Sequence, residues 1–73
     1  MMEEELDQLI AWQQTKLLEV ARRIIPHVTQ EDIMQPFDFP ELEESPLFRY
    51  EEGVWSGLLQ AKTLLLQWSR AQD

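Results

Sequence analysis

Residues 45–70, SPLFRYEEGVWSGLLQAKTLLLQWSR, decide how this chain folds. Ser45 is a good N-cap, and Pro46 sits at the first helical position, where its missing N–H costs nothing. The spacing predicts one long helix from Ser45 to about Arg70, with a break at Gly53 as the main alternative. At about 100° per residue two apolar rows emerge. One holds Leu47, Tyr50, Val54, Leu58, Ala61, Leu65 and Trp68, and the other holds Phe48, Trp55, Leu59 and Leu66. Glu51, Lys62 and Ser69 lie between them. One antiparallel neighbour covers a single stripe of this kind. A second row with large apolar side chains is therefore left over, and contiguous exposed patches of that sort mark interaction surfaces.

The neighbour is upstream. Acids crowd Glu3, Glu4, Glu5 and Asp7, and Arg22 and Arg23 precede Pro26, so the charges suit the dipole of a helix from about Glu3 to Ile25. Leu6, Leu9, Ile10, Leu17, Leu18, Val20, Ala21, Ile24 and Ile25 share about half of its circumference. Glu19 and Arg23 have i,i+4 spacing for an ion pair. Gln13 falls inside the apolar face, where a lone polar residue either fixes register or reaches water at the seam's edge. Trp12 falls toward the polar face, within reach of Lys16 for a cation–π pair, or free to anchor a partner.

Between the long helices, Thr29 and Asp32 have capping-box spacing, with Val28 and Ile33 as a hydrophobic staple. This predicts a short helix from Gln30 to about Gln35. Pro36 and Pro40 favour extended or turn geometry through Phe37, Phe39 and Leu42. Those three apolar residues either fold back to plug the hairpin or form an acidic-aromatic docking segment for a basic partner. The expected fold is all-α: an antiparallel hairpin of two long helices and a short connecting helix, one domain over 1–73, forming a four-helix bundle as a dimer.

Composition narrows the function. The 73 residues include no cysteine and one histidine, His27, which excludes disulfides, thiolate metal sites and multi-histidine sites. A chain this short buries only about 60% of the surface that it exposes when unfolded, so association is the expected source of extra stability. The net charge is −8. By segment it is −2 over residues 1–25, −7 over 26–52 and +1 over 53–73. This balance argues against binding nucleic acid phosphates or an anionic membrane. The acidic start does not resemble a signal peptide, and the longest apolar region is interrupted by Gln60, Lys62 and Gln67, so a cytoplasmic protein is expected.

No catalytic motif is found. A serine triad would need His27 as base for Ser45, Ser56 or Ser69, and His27 reads better as an exposed residue past a helix end. Glu43-Glu44 and Glu51-Glu52 are adjacent pairs, unsuited to facing each other across a cleft. Ile24, three before His27, breaks the di-iron Glu-x-x-His pattern, and no calcium or phosphate loop is present. No cofactor is expected. Gly53, Gly57 and Ala61 form a small-residue strip that lets another backbone approach closely.

These readings make the chain a non-catalytic interaction or oligomerisation module. Its expected interface comprises Phe48, Trp55, Leu59, Leu66, Gly53, Gly57 and Ala61, and its partner is a second copy. A hetero-partner adaptor or chaperone is the first alternative. In size, acidity and hairpin pattern the chain resembles the small helical chaperones of bacterial type III secretion, which implies a hetero-partner. An acidic nucleic-acid mimic is the second, and a small ligand-binding bundle the third.

Overall fold

A computed structural model describes residues 2–35 and 38–72. Four helices follow in order: α1 (Met2–Ile24), α2 (Gln30–Ile33), α3 (Pro40–Glu43) and α4 (Pro46–Gln72). No strand occurs among the described residues. The two long helices pack against each other as a hairpin, 45 Å in its longest dimension and 19 Å and 18 Å across. Their antiparallel sense is fixed by the pairing of Gln13 with Glu51 and of Asp7 with Lys62.

Local chemistry sets the boundaries. The Phe48 N–H donates to Ser45 Oγ at 3.2 Å, capping α4 as its Ser-Pro start predicts. Thr29 and Asp32 form the reciprocal capping box on α2, and Val28 and Ile33 beside it are both buried. Arg22 Nε donates to the Val28 carbonyl at 3.1 Å and ties the turn back to α1. One expectation changes. Residues 40–43 are helical where turn or extended geometry was expected, because Phe39 stays extended as the N-cap and Pro40 takes the position where its fixed φ starts a helix. As expected, α4 runs unbroken through Gly53, since the packing of its flanking turns outweighs the roughly 1 kcal/mol that a glycine costs a helix.

The core is one-sided. Leu17, Val20, Ala21, Ile25, Val28, Ile33, Leu42 and Phe48 form a single buried cluster, with Leu18, Ile24, Phe39 and Trp55 packed against it. It lies at the closed end of the hairpin, where α2 and α3 fold over α1 and α3 also meets α4. Leu42 and Phe39 are thus part of the plug, and a docking role would have to take them out of the core. Phe37 lies outside the described residues.

Candidate interaction surface

α1 does not choose between the two apolar rows of α4. It sits over the valley between them. The line of α4 that meets α1 is Phe48, Glu51, Trp55, Leu58, Lys62 and Leu65, spaced 3-4-3-4-3, and each is buried or half-buried. The matching line of α1 is Leu6, Ile10, Gln13, Leu17, Val20 and Ile24, spaced 4-3-4-3-4. These are heptad seams, the pattern of helices packed at a shallow angle. The expectation that one helix satisfies only one row is therefore corrected: α1 takes the inner flank of both.

Two polar groups complete the inner seam. Gln13 is 2% exposed, and its Nε2 donates to Glu51 Oε1 at 3.0 Å and to the Glu51 carbonyl at 3.1 Å. Lys16 Nζ contacts the other carboxylate oxygen at 3.0 Å and lies 5.3 Å from the centre of the Trp12 ring. Gln13 therefore fixes the register of the hairpin: a slip by one turn would leave its amide and the Glu51 carboxylate buried without partners. Lower down, Lys62 pairs with Asp7. Glu19 and Arg23 are not among the ion pairs of the described residues.

The Glu51 carboxyl is held below its ordinary value near 4.5, first by the Gln13 amide and then by Lys16, with desolvation opposing both. The folded protein accordingly binds this proton less readily than the unfolded chain does. The stabilisation is complete above the ordinary carboxylate pKa and is lost as pH falls through the lowered folded-state value. Melting curves of the protein and of Glu51→Gln, taken from about pH 7 down to about pH 3, should show the wild-type advantage shrinking on the acid side. A gap that stays constant with pH would overturn this assignment.

The row expected to form an interface divides. Phe48 is 0% exposed, at the heart of the core, and Trp55 packs against that core. Leu66 is half-buried, whereas Leu59 remains exposed. Phe48 leaves no surface for a partner, because the valley position of α1 draws it inward. Gly53 and Gly57 meet nothing within 4 Å of where a Cβ would stand, so the chain itself does not use the small-residue strip for close packing.

What stays open is the other side of α4. Leu47, Tyr50, Val54, Gly57, Ala61, Leu64 and Trp68 repeat at 3-4-3-4-3-4, and all seven are exposed, Leu64 at 66% and Trp68 at 63%. This outer seam carries no charge. Sequence reasoning put Leu47, Tyr50, Val54, Ala61 and Trp68 in one row with Leu58 and Leu65, placed Gly57 in a small-residue strip with Gly53 and Ala61, and left out Leu64. The unbroken heptad spacing is the signal that joins them. Beside the seam lies an open depression of about 410 Å³, lined by Met2, Glu5, Leu6 and Leu9 of α1 and by Ala61 and Leu65 of α4. Its walls are apolar apart from Glu5, and exposed Trp12 continues the α1 edge.

His27 is exposed in the turn after α1, and the Ser45 hydroxyl is engaged in capping. Among the described residues no group of three or more His, Cys, Asp or Glu side chains is placed to hold a metal ion. No helix among the described residues is long and apolar enough to cross a membrane. Compared with family models, curated proteins and solved structures, the chain matches none.

Proposed function

We propose that this chain is a non-catalytic assembly module whose open half is completed by a second copy, giving a four-helix bundle. One observation carries the reading: among the described residues, all ten that are buried fall in the stretch from Gln13 to Glu51. Residues 2–12 and 52–71 contain none, although they include Leu6, Leu9, Ile10, Leu58, Leu64, Leu65, Leu66 and Trp68. Helical arms with this apolar content gain stability by packing, and propensity alone holds such lengths poorly in water.

The accessible surface supports the same reading. It is 5402 Å², against about 4,700 Å² for a compact monomer of this mass. The Cα radius of gyration is 14.2 Å, against about 11 Å for a compact chain of this length. The excess surface is close to the roughly 800 Å² that each partner contributes to a standard interface.

Light scattering on the purified chain at micromolar concentration is expected to give twice the chain mass of 8.7 kDa. A stable monomer would overturn the reading. A chain that aggregates alone and becomes soluble with a co-expressed neighbour would favour the hetero-partner adaptor instead.

A further inference from the structure

We infer that the second copy docks on one broad face of the hairpin, built by both long helices, and that Glu5 restrains this docking. The inference rests on the assembly reading above and names its surface. Met2, Glu5, Leu9 and Trp12 form a line on α1 spaced 3-4-3, about 80° round from the line that meets α4. All four are exposed. The outer seam of α4 is turned to the same side, because its Ala61 and the Leu9 of this line share the walls of the open depression. The two lines therefore flank one groove, with half-buried Leu6 and Leu65 between them. Each helix of a four-helix bundle meets two neighbours. The hairpin supplies one of them, and this face is the place for the other.

Charge separates this face from its opposite. Glu3, Asp7, Glu52 and Arg70 fall on the opposite face, around Leu59 and Leu66. On the grooved face, the α1 line from Met2 to Lys16 holds two charges, Glu5 and Lys16, and Lys16 is engaged by Glu51 and Trp12. The outer seam of α4 has none, and Gln60 and Gln67 along its rim are uncharged. Opposite charge is what draws a basic partner, and the acids that could do so lie mostly elsewhere on the chain. The match for a long, nearly uncharged apolar face is another of the same kind, which a second copy supplies. Size agrees. The outer seam runs about 32 Å at 1.5 Å per residue on a hairpin 19 Å across, an area near the roughly 800 Å² that each partner contributes to a standard interface.

Glu5 is then the cost of this contact. It is the one carboxylate lining the depression, whose other walls are apolar. A second copy that covers the depression removes water from Glu5 in both chains. The lysines at hand are already held, Lys16 by Glu51 and Lys62 by Asp7. A carboxylate desolvated without a partner opposes the burial that causes it.

Sedimentation equilibrium on single variants tests the placement. Glu5→Gln should tighten the dimer at least about fivefold, since each dimer desolvates two such groups. Glu4→Gln removes the same charge from the same turn, on the side of α1 away from α4, and should change the affinity by less than about twofold. Leu9→Glu should reduce the mass to one chain while helical circular dichroism is kept. Leu59→Glu, equally exposed but on the opposite face, should remain dimeric. A wild-type dimer that Leu9→Glu leaves intact, that Leu59→Glu dissociates as readily, or that Glu5→Gln tightens no more than Glu4→Gln overturns this placement and leaves the assembly reading standing. A wild-type monomer overturns both.

Discussion

Phe48→Ala is expected to lower stability by about 3–5 kcal/mol, the loss seen when a fully buried aromatic is truncated. Phe48 is 0% exposed and sits where α1, the connector and α4 converge. No other core residue has a larger side chain that could collapse into the space. At about 0.05–0.15 kcal/mol per residue the whole chain holds about 4–11 kcal/mol, so this one change removes a large share. For a domain of this size the melting temperature should fall by at least about 12 °C. Urea titration at several protein concentrations checks the cause. A core defect gives a loss that persists at every concentration, whereas an interface defect appears as a change in mass with the protomer's own stability kept. A loss under about 1 kcal/mol would mean that Phe48 does not occupy the core position described above.

The elements were legible in the sequence because their signals are local. The Ser45-Pro46 start of α4, the Thr29/Asp32 capping box and the stop before Pro26 each depend on residues within one turn. The antiparallel packing of two long helices follows from amphipathic rows separated by a connector too short and polar to support another layer. Residues 40–43 were misread for a physical reason: proline is as compatible with the first turn of a helix as with an extended segment, and which one forms depends on Leu42 finding the core. That is a tertiary fact.

The surface was harder to read. Two apolar rows on one helix were visible, but a wheel cannot say where a neighbour's axis lies between them. Glu51 and Lys62 looked like a polar boundary between the rows. They are in fact seam positions, since Gln13 donates a hydrogen bond to Glu51, Lys16 balances its charge and Asp7 balances that of Lys62. Once a buried carboxylate has an amide and an ammonium to meet, its charge no longer marks the solvent side. The consequence propagates: α1 sits in the valley, Phe48 and Trp55 turn inward, and the exposed face moves around α4 to the row that ends in Trp68.

Leu42→Ala is the second change with a large expected effect, about 2–5 kcal/mol. Leu42 is fully buried, and it belongs to a four-residue helix with little else to hold it. An isolated turn of that length has no stability of its own. Removing its one fully buried anchor, with only half-buried Phe39 left to hold the segment, should loosen α3 over Phe48, giving a melting temperature lower by at least about 8 °C. Reversing the charge of Glu43 or Glu44, both exposed in the same segment, should shift stability by less than about 0.5 kcal/mol. The contrast tests what the connector is for. A plug responds to the loss of its apolar anchor and ignores its acids. A docking strip for a basic partner would show the opposite order, with partner binding lost on charge reversal and melting unchanged by Leu42→Ala. Because the plug closes the end of the hairpin away from Leu64 and Trp68, Leu42→Ala should also leave those arms able to associate, so a destabilised but still dimeric protein is the expected result.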